Sequence, residues 1–529
     1  MNDKISLTRR QAASVSLGLT AAAFCVPATA KAAPPDTALP PSQTPAAPVP
    51  ADQIEAAIKQ LGPLAKDLMQ KSGIPGMAVA AVYNGQTVFA QGFGIRRAGA
   101  PDTVDADTVF QLASVSKSIS ATILAQQIGH GGLNWNTPVV QHLPWFALND
   151  PWVTAHVTLA DLFAHRSGLP DHAGDDLEDL GFNRDQILHR LRYLPLSSFR
   201  NTYDYTNFGI TAAAIAAAGA AGTDWASLAE TALYKPLGMV STSSRFADFI
   251  RHSNRAAGHV KIDGAYAAKY QRQPDAQSPA GGASSSARDM AHWLAMVLQG
   301  GKFDGAQIID AAALLPAVTA EMITAPSPDM AARAELYGYG FNVGTQPTGR
   351  TTLSHSGAFA MGAGTNFLLI PSLNLGVIAL TNASPSGAAE ALTASFADLV
   401  QYGTISRDWY TGYHRLTAPI RAPVGALAGS PPPANPTPPA NLHAYAGTYH
   451  NDYFGPAEIH PQAAGLLFKI GPHGMVFPLT HWDGNIFTYT PKGENAPDGS
   501  RAALTFTQNP ASFTIDIYAE SRANKFIRL

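Results

Sequence analysis

In the stretch FQLASVSKSISATIL, residues 110–124, Lys117 is the only charged residue and follows Ser114 by three positions. On a helix, positions i and i+3 share a face, so the hydroxyl and the amine would meet. Ser114 would open that helix and feel the positive end of its dipole. A lysine buried beside a core loses solvation, which makes its neutral amine accessible as a proton acceptor. A hydroxyl attacks an acyl carbon usefully only when a base removes its proton. The pair is therefore a candidate nucleophile and base. Two further segments carry polar groups: YDYTNFG (203–209) sets Tyr205 two residues before Asn207, and LSHSGAFAMGAGTNFLLI (353–370) opens on His355, Ser356 and Gly357. Each has a plainer reading, with Tyr205 a core aromatic, Asn207 a helix N-cap and His355 a satisfied surface imidazole. His165 and Arg166 read as a helix-end turn and stay outside the candidate site.

The elements that must position these groups can be read from the pattern. Val115, Ile119 and Ile123 recur at helical spacing and would fill a second face of the Ser114 helix. GMAVAAVYNGQTVFAQGFG (76–94) predicts a hairpin turning at Asn84-Gly85. ITAAAIAAAG and ARDMAHWLAMVLQGG predict helices, the second ended by its glycines. TNFLLIPSLNLGVIALTN (365–382) predicts two strands around a Pro-containing turn. Strands at both ends with helices between them imply an α+β domain whose sheet is assembled from distant segments. The uncharged run from Tyr205 to Thr223 approaches spanning length, yet it is mostly Ala, Gly and Thr and reads as a buried helix.

The 529 residues suffice for two or more domains, and 46% apolar content suits a globular chain. A net charge of −3 without a basic cluster argues against a nucleic-acid partner. Lys4, Arg9 and Arg10 precede the apolar run SVSLGLTAAAFCVPA and a small-x-small site, so residues 1–32 read as an export signal. TRRQAA (8–13) resembles a twin-arginine signal, with an ordinary Sec signal as the alternative. The expected location is periplasmic or secreted, with no stable membrane anchor. Cys25, the single cysteine, falls inside this segment, leaving the mature chain without a thiol or disulfide framework. Pro-rich runs at 33–50 and 416–442 read as linkers bounding a domain at 51–415. The short aromatic β-segments of 443–529 predict a small antiparallel barrel that offers a surface for oligomerisation and whose Trp482 and Tyr489 would be core.

In order and spacing, the Ser114-x-x-Lys117, Tyr205-x-Asn207 and His355-Ser356-Gly357 segments resemble the serine β-lactamase and penicillin-binding-protein superfamily. They look closest to its class C-like branch of D-aminopeptidases, carboxylesterases and D-alanyl-D-alanine carboxypeptidases. DLFAHRSGLP, KPLGMVST, PAGGASSSARDMAHWL and YGYGF fit that branch as well. The resemblance implies a β-lactamase-like fold, followed by a module similar to the lipocalin-like one of some D-aminopeptidases. It implies Ser114 as nucleophile and Lys117 with Tyr205 as the base system, leaving open which of the two holds the proton. It further implies that Asn207 orients Lys117 and the substrate amide, that Ser114 and Ala358 supply oxyanion N–H groups, and that His355, Ser356 and Gly357 border the substrate. No cofactor or metal is required.

One departure matters. Penicillin-recognising members usually hold Lys at the head of the third motif, where this chain has His355, mostly neutral at pH 7. That favours aminopeptidase, amidase or esterase action on a peptide or other small molecule over strict carboxypeptidase or β-lactamase action. On this reading, lowering the pH through about 6.5 would charge His355 and improve the handling of carboxylate-terminated substrates. A catalytically silent sensor or binding protein is the rival from another class. No Gly-x-Ser-x-Gly elbow or His-Glu-x-x-His is present to support an α/β-hydrolase or a zinc peptidase.

Overall fold

The computed structural model describes residues 43–45, 47–463, 465–519 and 521–529. The expected export signal, Cys25 and most of the 33–50 run lie outside the described residues. Residues 45–529 form one compact unit.

Its centre is an antiparallel sheet of eight strands. Their order is Gln86–Gly94, Gly76–Tyr83, Leu375–Thr381, Ala363–Ile370, Thr351–Phe359, Asn342–Thr345, Glu335–Tyr337 and Met322–Ala325. The N-terminal hairpin thus pairs with the last strand of the domain, Met77 opposite Thr381. It turns as expected at Asn84 and Gly85, whose φ values of 51° and 75° suit the left-handed turn that Asn-Gly favours. Alternation explains the unbroken apolar run of Gly76–Tyr83. Ala78, Ala80 and Val82 face the helical region, while Met77, Val79 and Ala81 face the helices Ala51–Ser72 and Ala388–Tyr402.

The helix Val115–Gly129 lies buried on nearly every side. Val115, Ile119 and Ile123 take part in the same core as helices Asn207–Ala220 and Ala287–Leu298. The Ala-rich run is the buried helix expected of it, and no described helix is long and apolar enough to cross a membrane.

The tail is a closed eight-stranded antiparallel barrel, sealed by pairing of Gly447–Asn451 with Lys525–Arg528. Aromatic rings fill it, among them Tyr449, Phe468, Phe487 and Phe513, and both Trp482 and Tyr489 are buried. The run at 416–442, expected as a linker, folds back on this barrel. Val424 N donates to Ser500 Oγ at 3.0 Å, Ala426 N to Asp516 Oδ2 at 2.8 Å, and Arg501 N to Val424 O at 3.0 Å. The barrel in turn is tied to the sheet-and-helix part: Gly174 N donates to Tyr453 Oη at 2.8 Å, and Glu494 N and Asn495 N donate to Asp179 at 2.9 and 2.8 Å.

Truncation after residue 430 therefore removes the hydrogen bonds between the two parts, each worth about 0.5–1.5 kcal/mol net. The shortened chain should melt well below the full chain or fail to stay soluble. A truncated product with an unchanged melting temperature would show that the two parts are independent.

Candidate active site

Ser114 stands at the N-cap position of its helix with its side chain free of any capping bond, and Ala113 before it adopts φ 48°, a left-handed conformation that costs a non-glycine residue energy. Strain of this kind concentrates where a side chain must be aimed. Lys117 Nζ lies 3.0 Å from Ser114 Oγ, 2.6 Å from Asn207 Oδ1 and 3.0 Å from Ala280 O. Its side chain is fully buried, and Nζ sits 4.6 Å from the centroid of the Tyr205 ring. Burial pushes the amine down to about 7, against the opposing charge of Asp175. A neutral amine has two N–H donors and one lone pair. Two carbonyl oxygens take the donors, which turns the lone pair to the Ser114 hydroxyl.

Tyr205 also hydrogen-bonds Ser114, but burial pushes its phenol well up and outweighs that bond. The phenolate is thus the costly species and the free amine the accessible one. The structure brings Ser114, Lys117, Tyr205 and Asn207 together.

The third motif divides. Gly357 fits because a Cβ there would stand 2.1 Å from Leu112 O, so only glycine lets this strand approach the segment leading into Ser114. Ala358 follows on the same strand, half-exposed. Ser356 points the other way, as strand alternation requires. Its Oγ accepts from Asn366 Nδ2 at 3.0 Å and contacts the Glu390 carboxyl beneath the helix Ala388–Tyr402. Its expected contact with substrate is corrected accordingly. His355 is buried, with Nδ1 donating to Ser356 O at 2.7 Å and Nε2 accepting from Tyr337 Oη at 2.9 Å. Burial and the nearby Lys117 push the imidazole down to about 3. It stays neutral through pH 6.5, so the expected pH switch at this residue does not operate.

Three groups escaped the sequence reading. Asn207 Nδ2 donates to Asp175 Oδ2 at 2.8 Å, which fixes the amide with Oδ1 toward Lys117. The same oxygen takes His172 Nδ1 at 2.9 Å, and although burial opposes it, this bond raises the His172 imidazole. His165 packs on Tyr205 with ring centroids 4.5 Å apart, accepts Thr206 N through Nδ1 at 3.1 Å, and keeps Nε2 buried without a partner. No spacing rule flags an aspartate in the acidic run GDDLED, and His165 resembled an ordinary helix end. Arg166 does behave as one, pairing with buried Asp161 at 2.9 Å.

The Asp175 charge raises the Lys117 amine, so removing it should lower that amine further. Asp175→Asn should move the acid limb of kcat/KM to lower pH while retaining the hydrogen bond to Asn207. An unmoved limb would mean that this limb does not report Lys117.

Comparison with known proteins finds a family and several relatives. Residues 62–401 match the family model described as Beta-lactamase, and 431–520 match a domain of unknown function (DUF3471). An unguisins hydrolase, ungD′ of Aspergillus campestris, is 28% identical over 412 residues, 74% of this chain and 75% of that protein. The D-alanyl-D-alanine-carboxypeptidase/endopeptidase AmpH of Escherichia coli is 24% identical over 62% of this chain and 85% of its own. The octameric penicillin-binding protein homologue from Pyrococcus abyssi superposes with a TM-score of 0.58 at 18% identity, covering 89% of this chain and all of that one. With the family model spanning the strands, the central helix and every element that touches Lys117, the chain belongs to the beta-lactamase/penicillin-binding-protein superfamily of serine hydrolases.

Proposed function

We propose that this protein is an exported serine hydrolase that cleaves amide or ester bonds through an acyl-enzyme on Ser114. The observation that carries the reading is the Lys117 amine, 3.0 Å from the Ser114 hydroxyl and held by Asn207 Oδ1 and Ala280 O, so that its neutral form can take the hydroxyl proton. As Oγ attacks the acyl carbon, its proton passes to Lys117 Nζ. The oxyanion is held by the N–H groups of Ser114 and Ala358. The amides of Val115, Ser116 and Lys117 are taken by Leu112, Ala113 and Ser114 carbonyls, which supports a role for the Ser114 N–H as the spare donor of this helix end. When the tetrahedral state collapses, the C–N or C–O bond breaks and the leaving group takes the proton from Lys117. Water then repeats the sequence on the ester and frees Ser114.

The substrates are peptides containing D-amino acids, with small esters as competitors. The name of the AmpH relative supports a D-residue at the cleaved bond. The buried, neutral His355 supports substrates without a terminal carboxylate at that position. The test is a panel of D- and L-aminoacyl amides, short-chain esters and a chromogenic cephalosporin, ranked by kcat/KM. Preference for L-aminoacyl amides would overturn the D-selectivity. No turnover of even a p-nitrophenyl ester would favour a silent binding protein.

A further inference from the structure

Between the segment around residues 96–102 and the loop around 253–272 lies a cavity of about 400 Å³ with Arg96, Arg97, Arg255, Lys269 and Arg272 on its walls. Three of these cations face carboxylates: Arg96 meets Asp102 at 2.6 Å, Lys269 meets Asp498 at 2.9 Å, and Arg272 meets Glu178 at 2.5 Å and Glu494 at 3.9 Å. Arg97 and Arg255 have no ion pair among the described residues. The five cations face four carboxylates, none of which pairs with Arg97 or Arg255. The Nε donor of Arg96 is moreover buried without a hydrogen-bond acceptor, and that of Arg272 has only the Glu494 carboxylate, at 3.9 Å. Guanidinium groups crowded together repel one another even where backbone carbonyls take some of their donors, as His252 O does for Arg255, and an anion relieves that repulsion.

Position ties this cavity to the candidate site. Gln111 and Met361 also line it, and Gln111 Nε2 donates to Arg272 O at 2.9 Å. Gln111 precedes Ser114 by three residues, and Met361 follows Ala358 by three. The cavity thus borders both segments that lead to the reacting groups. The main site offers an anion the buried Lys117, already engaged, a neutral His355, and the His172 imidazole, which Asp175 already holds. A charge on the substrate must be met elsewhere.

We propose that the cavity lined by Arg97 and Arg255 is a subsite for an acidic group of the substrate, a carboxylate or a phosphate several bonds from the bond that Ser114 attacks. The proposal rests on the serine hydrolase reading above and adds the substrate class: acidic acyl compounds. Fixed cations steer such a substrate and hold it in register, and salt weakens the effect.

The test compares p-nitrophenyl esters and anilides of matched length ending in methyl, carboxylate or phosphate, with the acidic group on the acyl side in one series and on the leaving group in another. The full chain should favour one acidic series over methyl by about tenfold or more in kcat/KM at low salt, and less at high salt. Arg97→Ala and Arg255→Ala should each remove about five- to tenfold of that preference while leaving the methyl compounds unchanged. Arg97→Glu, at an exposed position that tolerates it, should reverse the preference. Whether carboxylate or phosphate gains more identifies the natural group. Equal kcat/KM for acidic and methyl compounds in both series, or equal losses on both in the variants, would overturn the subsite. If no ester at all is turned over, the hydrolase reading fails. Calorimetric titration with citrate then decides the cavity: binding that the arginine variants lose upholds an anion site, and no binding overturns it.

Discussion

Ser114→Ala should lower kcat by roughly three to six decades while the melting temperature stays within a few degrees, because a nucleophile and its base act as one unit. The neighbouring serines cannot substitute for it. Ser116 Oγ accepts Ala283 N at 3.0 Å, Ser118 Oγ donates to Gly340 O at 2.5 Å, and Ser120 Oγ donates to Pro279 O at 2.6 Å. All three are buried and spent on holding the central helix in place. Ser114 alone of the four is partly exposed and faces the amine. Mass spectrometry after reaction with a slow acyl donor should therefore place the adduct on the peptide containing Ser114. An adduct on any other serine, or a variant that keeps more than a tenth of its rate, would remove Ser114 from the role. A silent binding protein would form the adduct yet show no turnover to lose, so the two measurements together separate the readings.

What the sequence made legible follows from short-range rules. The Asn84-Gly85 turn, the i, i+3 contact of Ser114 with Lys117, and the buried Ala-rich helix each depend on residues within one element. Strand alternation also made the fate of Ser356 readable in principle: His355 and Ser356 are adjacent on one strand, so they must face opposite sides of the sheet. What stayed hidden depends on contacts across long stretches of chain. Asp175 matters because its carboxylate reaches Asn207, and Gly174 just before it is held by Tyr453 from the barrel. Glu494, also from the barrel part, accepts Ala360 N and Met361 N immediately beyond Ala358. Burial raises its carboxyl to about 8 even beside Arg272. Neither link leaves a periodicity or a motif. Pro-rich composition marked residues 416–442 as irregular, but it could not show that an irregular segment would pack.

Lys117→Met should cost as many decades as the serine substitution, and its pH behaviour distinguishes a base from a mere core residue. In the folded chain the amine is held near 7, whereas its ordinary value is 10.5. Between those two values the unfolded chain binds more protons than the folded one, so stability rises with pH across that window and is flat below it. The slope approaches about 1.4 kcal/mol per pH unit wherever the two states differ by a full proton. Replacing the amine by a methylene-and-sulfur chain of similar reach removes this slope, so denaturant melts of Lys117→Met at pH 7 and pH 9.5 should differ less than those of the parent. In the parent, kcat/KM should rise through about pH 7 as the amine loses its proton. Tyr205→Phe deletes the hydroxyl that bonds Ser114 without deleting the base, so it should cost less than Lys117→Met. The double variant should lose little beyond Lys117→Met alone, because both residues serve the same proton. Losses that multiply would assign the two residues to separate steps, and an acid limb far below pH 7 would mean that the Ser114 proton goes to a group other than Lys117.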